Sequence, residues 1–175
     1  MLAYTEEQSE ELAYSALKAI LELSPIADDF DIGLERILRR QGDGKAVALA
    51  TAPEARDGAR TTLNIFDETS HWTLPKQKRA HKAMLANIPK RRAADAWTLE
   101  ITTAPAPGEG SIAEETMGYA RAVAEGKVGD SRLFFFHRQA GTDKPLDLST
   151  EENIRAAIIE ASGPVAEWSD IDSIL

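Results

Sequence analysis

The segment TTLNIFDE occupies residues 61–68 and consists of β-branched and apolar residues that end at two acidic ones. This composition predicts a strand with a pair of carboxylates at its C-terminal end. A second segment, WTLEITT, occupies residues 97–103, ends at two threonines and is followed by the Pro-rich residues 104–108. Ligands of open parallel sheets bind beyond the carboxyl ends of the strands. We therefore expect the acidic pair and the threonine pair to meet at one edge of a sheet.

Helical patterns alternate with these strands. Helices are predicted at residues 5–23, at 75–88 with Pro75 in the first turn, at 111–126 after a capping box, and after a second box at 149–152. Two short elements are expected at residues 34–38 and 45–50, joined by a turn at 41–44. Residues 133–136 are predicted to form a buried strand. Because strands and helices alternate, the sequence predicts an α/β fold with a mostly parallel sheet.

Charge and composition narrow the possible functions. The chain has 20 basic and 29 acidic residues, no cysteine and three scattered histidines, which excludes disulfide scaffolds and thiolate metal sites. Neither an apolar run of membrane-spanning length nor a signal sequence is present, so a cytoplasmic protein without a membrane contact is predicted. One segment reverses the acidic average, because it holds seven basic residues and no acidic one: Lys76, Lys78, Arg79, Lys82, Lys90, Arg91 and Arg92.

An apolar strand followed by Asp-Glu is the Walker B pattern of nucleotide hydrolases. In that pattern the Asp, here Asp67, orients Mg²⁺ through its water shell, and the Glu, here Glu68, polarises the water that attacks the γ-phosphate. Neighbouring side chains on an extended backbone point in different directions, so one carboxylate can face metal and the other water. The alternative is an ordinary charged turn, because strands commonly stop at such residues.

The order and spacing of several segments resemble the ATPase domain of the large terminase subunit of tailed phages. In that family a small-residue strand leads through Pro and Gly into the Walker B strand, and a short strand with a Thr/Ser-Thr-Ala-like coupling motif follows. The matching segments are residues 4–9, 50–60, 61–72, 99–104, 111–126 and 168–174.

The resemblance implies an incomplete, three-layer P-loop NTPase-like fold of the ASCE or RecA type, with a mostly parallel sheet flanked by helices. Residues 1–130 would be a partial ATPase core, and residues 131–175 would lead toward a nuclease domain. ATP and Mg²⁺ are the implied cofactors, and double-stranded DNA, a portal protein and a small terminase subunit are the implied partners. A homo-oligomeric ring in the host-cell cytoplasm is also implied.

The family roles transfer to single positions. Asp67 would hold Mg²⁺ and Glu68 would activate water, while Thr102 and Thr103 would form the motif that couples hydrolysis to DNA movement. His71 lies just past the carboxylates, where helicase relatives place a histidine, although two residues separate it from Glu68 here.

Basic residues would complete the site and the DNA contact. Arg56 and Arg60 would reach phosphate or a neighbouring subunit, or else be solvated loop arginines. The seven residues of the basic segment would contact DNA phosphates, or else form a solvated helix face. Glu100 lies on the same strand face as Thr98 and Thr102. It would be a further site carboxylate, or else face solvent or pair with an arginine.

Two features depart from the family pattern. The sequence contains no Gly-x-x-x-x-Gly-Lys-Ser/Thr loop, and it ends before any acidic nuclease cluster. We therefore expect an internal piece of a terminase that binds ATP poorly by itself, since two carboxylates repel a polyphosphate. The alternatives are a piece of a helicase-like translocase and a non-catalytic DNA-binding or assembly module.

Overall fold

The structure, a computed structural model, describes residues 14–49, 60–141 and 145–175. The chain divides into two units, Met1–Glu125 and Gly126–Leu175. It contains both helices and strands, with a small parallel sheet and an antiparallel sheet, as an α/β class requires. Within the described ranges, no helix has the length and apolar character needed to cross a membrane.

The first unit begins with helix α1 (Ser15–Glu22) and an antiparallel sheet. Its strands are β1 (Phe30–Ile32), β2 (Arg36–Arg39) and β3 (Lys45–Val47), in that order. The prediction of a mostly parallel sheet is wrong for these strands, because the tight turn between β2 and β3 can join only antiparallel neighbours. The N-terminal part of the helix predicted at 5–23 lies outside the described residues.

Strands β4 (Leu63–Asp67) and β5 (Trp97–Ile101) pair in parallel and form the second sheet. Helix α2 (Pro75–Leu85) and a 3-10 helix at Ile88–Ala94 connect them. Helix α2 begins at the predicted proline but ends three residues early. Pro89 has no backbone N–H to donate to the Leu85 carbonyl, so the α-helical hydrogen-bond pattern stops there and a 3-10 helix follows.

One face of the parallel sheet carries the core of this unit. Phe66 and Trp72 are fully buried, and their rings meet edge to face with centroids 5.7 Å apart. Ala80 and Met84 of α2 pack against them, together with Ile112. This face of α2 therefore holds the helix against the sheet.

The opposite face of the same sheet is open among the described residues. Alternation places Ile65 and Asp67 of β4 on it, and Trp97, Leu99 and Ile101 of β5. Trp97 is 51% exposed and Ile101 is 53% exposed, whereas Phe66 on the other face is fully buried. The two faces of the sheet thus differ sharply in burial.

Helix α3 (Ile112–Ala124) completes the first unit and starts where the capping pattern predicts. The Ser111 side chain accepts a hydrogen bond from the Glu114 amide at 3.2 Å, and Gly126 follows the helix with a φ of 71°. In the second unit, Thr150 caps helix α4 (Glu151–Ser162) in the same way. Both predicted helix starts are therefore confirmed.

The prediction of a buried strand at residues 133–136 is wrong. These residues form no strand, and Phe134 is 88% exposed while Phe135 and Phe136 are also exposed. A strand needs a neighbour for its backbone hydrogen bonds, and no strand is described in the second unit. Apolar composition alone was insufficient to predict burial here.

The difference between the two sheet faces gives a stability prediction. Phe66→Ala should lower the free energy of unfolding by about 3–5 kcal/mol, because it opens a cavity beneath Trp72. Leu99→Ala, on the open face, is the matched control and should cost less than about 1 kcal/mol. Urea unfolding of both variants measures the difference, and equal losses would contradict the assigned burial.

Candidate functional site

The parallel pairing brings the predicted strand ends to one edge. Asp67 stands opposite Ile101 in the register, and the Glu68 amide donates to the Ile101 carbonyl at 2.9 Å. The pairing thus continues one residue beyond strand β4. Since both strands run in the same direction, the acidic pair lies beside the residues that follow β5.

The threonine pair contacts the turn that follows the acidic pair. The Ser70 amide donates to Thr102 Oγ1 at 2.9 Å, and the hydroxyls of Ser70 and Thr103 are 3.0 Å apart. Ser70 is buried, whereas Thr102 and Thr103 are exposed. The predicted adjacency of the two pairs is therefore confirmed, and Ser70 is the residue that links them.

Glu68 lies at the sharpest turn of this edge. Its φ of 56° and ψ of 40° are left-handed, and the chain continues as a 3-10 helix at Thr69–His71. A non-glycine residue in this conformation costs about 1–2 kcal/mol and is often found at functional sites. The Glu68 side chain is 31% exposed, and its Oε2 is 3.7 Å from His71 Nε2. His71 is thus close to Glu68, in the relation that the sequence suggested.

The two carboxylates are oriented differently, as the Walker B hypothesis requires. Asp67 is the last residue of β4 and belongs to its open face, whereas the turn at Glu68 leaves the strand direction. In the part of the chain that the structure describes, no three His, Asp or Glu side chains form a cluster able to hold a metal.

Glu100 is a polar residue of this region whose surroundings the sequence did not predict. Its Oε1 accepts a hydrogen bond from Thr69 Oγ1 at 2.9 Å, and its Oε2 accepts one from Thr116 Oγ1 at 3.3 Å. His81 Nε2 lies 3.5 Å from Oε2, which forms an ion pair when the histidine is protonated. The expectation of a solvated or arginine-paired Glu100 is wrong.

The environment of Glu100 favours its ionised form. Burial acts to raise the pKa of this carboxyl. The neighbouring His81 and the hydroxyls of Thr69 and Thr116 act to lower the pKa, and their combined effect is larger than that of burial. The pKa of Glu100 therefore lies below its ordinary value. A sequence signal existed, because alternation along β5 puts Glu100 on the same face as Thr98. The structure adds that this face is in register with Phe66, whose side of the sheet packs against α2. The sequence did not reveal which side chains of α2 and α3 reach it.

The basic segment divides into exposed and partnered residues. Lys76, Arg79 and Lys82 form an exposed row on α2, with the buried residues of the helix on its other side. Lys78 instead pairs with Glu115 at 2.8 Å. This row of three is called the basic row below.

The other basic residues predicted to contact DNA or phosphate do not form one exposed row. Lys90 donates to Asn87 Oδ1 at 3.0 Å, Arg91 is partly buried, and Arg92 is exposed. Arg60 is exposed at the start of a described segment, whereas Arg56 lies outside the described residues. The structure therefore supports a continuous basic surface best on α2.

Comparison of the chain with protein-family models, with curated proteins and with solved structures gives no match. A functional proposal therefore depends on the residues and on their geometry at the edge of the parallel sheet.

The depressed pKa of Glu100 predicts an effect on acid stability. Ionised Glu100 stabilises the fold above its unfolded pKa of about 4.3, and this contribution disappears as the pH falls through the lower folded pKa. Glu100→Gln should therefore lose less stability than the wild type between about pH 5 and 3. Chemical unfolding at several pH values measures this.

The matched control is Glu109→Gln, which removes an exposed carboxylate. It should keep the acid sensitivity of the wild type. The assignment fails if Glu100→Gln and the wild type lose stability in parallel over the whole acid range.

Proposed function

We propose that this chain is part of an ATP-hydrolysing motor of the P-loop class, from the large terminase subunit of a tailed phage, and that it helps to package double-stranded DNA into procapsids. The supporting observation is the shared edge of β4 and β5. There, Asp67 and Glu68 follow one strand, while Thr102 and Thr103 follow its parallel neighbour and contact the intervening turn through Ser70.

Each residue has a role that suits its position. Asp67 would hold a hydrated Mg²⁺, which would supply positive charge to offset the negative charge of the ATP phosphates. Glu68, at the turn, would accept a hydrogen bond from the attacking water and align it with the γ-phosphate. Thr102 and Thr103 would transmit the change on hydrolysis, because they contact Ser70 only two residues beyond Glu68.

The proposal requires a phosphate-binding loop from outside these 175 residues. The sequence contains no Gly-x-x-x-x-Gly-Lys-Ser/Thr motif, and the polyphosphate needs cationic donors to offset the acidic pair. Arg60 is exposed and suits a contact with phosphate or with a neighbouring subunit. A homo-oligomeric ring, a portal protein and a small terminase subunit belong to the proposal through the family resemblance.

The test of the catalytic role is Glu68→Gln in the full-length gene product. Replacing the carboxylate removes the general base, so Mg²⁺-dependent ATP turnover should fall by about 10²–10⁴-fold. ATP binding should persist, because Glu68 acts on water rather than on the nucleotide.

A matched control for Glu68→Gln is Glu109→Gln, which makes the same chemical change at an exposed loop position. It should leave both turnover and binding unchanged. Retained turnover in Glu68→Gln would reject the catalytic assignment.

A second candidate function is DNA binding without catalysis, which the basic row favours. Lys76, Arg79 and Lys82 are exposed and spaced by three residues along α2, so they present positive charge in a line. Such a surface neutralises backbone phosphates without reading the sequence. In the motor, the same row would contact the DNA duplex. The two functions differ in whether DNA binding depends on ATP, because only the motor predicts such a dependence.

The basic row predicts a measurable salt dependence. The triple variant K76A/R79A/K82A should weaken binding to duplex DNA and lower the slope of log K against log salt by about 0.9 for each lost phosphate contact. Fluorescence anisotropy over a salt series measures both effects.

The control for the basic row is R36A/R39A/K45A, which removes the same formal charge from the exposed antiparallel sheet. It should retain most of the binding and the slope. If the two triple variants behave alike, binding reflects total charge and the basic row has no special role.

A further inference from the structure

We propose that Glu100 is a positioning residue that holds the turn carrying Glu68 in its left-handed conformation, through the hydrogen bond from Thr69. This inference rests on the proposed function, because it concerns the geometry of the proposed catalytic carboxylate. It adds a residue that belongs neither to the acidic pair nor to the threonine pair. The chemistry assigned to Glu100 is that of a fixed acceptor.

The first step of the argument is the position of Thr69. It directly follows Glu68 and is fully buried, so its hydroxyl requires a partner within the protein. Glu100 supplies that partner at 2.9 Å. A carboxylate acceptor makes a stronger hydrogen bond than a neutral one, so the Thr69 side chain has little freedom to move.

The second step concerns the two sides of Glu68. On the N-terminal side of Glu68, its own amide donates a hydrogen bond to the Ile101 carbonyl at 2.9 Å. On the C-terminal side, the Thr69 hydroxyl donates one to Glu100. Both contacts come from consecutive residues of β5. A left-handed glutamate persists only where its surroundings enforce it. These two contacts border Glu68 directly and add to the constraint that the contacts of Ser70 with Thr102 and Thr103 place on the turn.

The third step is the fixation of Glu100 itself. Its second oxygen accepts from Thr116 of α3 and lies 3.5 Å from His81 of α2. The carboxylate is therefore held by one residue from each of two helices as well as by the turn. Because Thr69 and His81 still hold Glu100 when the Thr116 hydroxyl is lost, Glu100 can determine where Thr69 lies.

An alternative is that Glu100 merely satisfies buried polar groups and contributes only to stability. The two hydroxyls that it accepts allow the two roles to be separated. Thr69 borders Glu68, whereas the Thr116 hydroxyl lies on α3, a helix that packs against the turn, and donates to Glu100 rather than to a residue of the turn. Removing either hydroxyl costs Glu100 one hydrogen bond, but only Thr69→Val removes a hydrogen bond that a residue of the turn makes.

The first measurement is amide hydrogen exchange in the 175-residue chain. Thr69→Val and Glu100→Ala should raise exchange at residues 68–72 by about tenfold or more, because the turn opens locally. Thr116→Val, the matched control, should change it much less. Glu100→Gln keeps an acceptor for Thr69 and should restore most of the protection.

A double-mutant cycle tests whether Glu100 acts through Thr69. If it does, T69V/E100A should show no more exchange at residues 68–72 than Glu100→Ala does, because both changes break the same contact. Additive effects would overturn the inference. Glu100→Ala also removes the acceptor of the Thr116 hydroxyl and can therefore disturb the fold. Thr69→Val breaks the contact with the turn in a chain that keeps the Glu100 carboxylate.

The second measurement is ATP turnover in the full-length gene product. Thr69→Val should lower kcat by about 10–100-fold with an unchanged KM, because a displaced Glu68 aligns water poorly but leaves ATP binding intact. Thr116→Val should lower kcat at least fivefold less. Equal effects of the two valine variants on kcat would overturn the inference.

The two measurements keep this inference separate from the proposed function. Absence of turnover in the wild-type full-length protein would reject the proposed function, and exchange at residues 68–72 would then decide the positioning role alone. Unchanged exchange in Thr69→Val would overturn that role even if the wild type hydrolyses ATP.

Discussion

The parallel pairing of β4 with β5 is the constraint on which the rest of the site depends. Its register places Asp67 opposite Ile101 and lets the Glu68 amide bond to the Ile101 carbonyl. A slip of one residue would move every side chain of a strand to the other face of the sheet. Glu100 would then leave the face that packs on α2 and would lose Thr69. The position of the acidic turn thus follows from the register of these two short strands.

The two faces of the parallel sheet carry different acidic side chains, Glu100 on one and Asp67 on the other. The face toward α2 combines the aromatic core with a fixed carboxylate, because Phe66 and Glu100 are cross-strand neighbours. A charge can occupy this region because hydroxyls and a histidine surround it. Asp67 alternates to the opposite face. The same alternation thus separates the fixed carboxylate of Glu100 from the carboxylate to which we assign a metal in the proposed function.

Local patterns in the sequence predicted strands β4 and β5 and the starts of helices α2, α3 and α4. The strand ends, the proline at the start of α2 and the caps at Ser111 and Thr150 all depend on residues close in the chain. The surroundings of Glu100 depend on which faces of two distant helices meet β5, and periodicity does not specify that. The exposed LFFF segment shows a related limit, because apolar composition does not provide a strand with a neighbour.

Electrostatics determines how a polyanion can approach this unit. The chain carries a net charge of −9, and the acidic pair adds local repulsion against both DNA and ATP. The basic row offers phosphate a favourable surface on α2. Under the proposed function, the edge at Asp67 would become favourable to phosphate once Mg²⁺ neutralised it. Helix α2 presents the basic row on one side and His81, next to Glu100, on the other. A duplex held by the row would therefore contact the helix that also helps to fix Glu100, so DNA binding and the Glu68 turn share one rigid element.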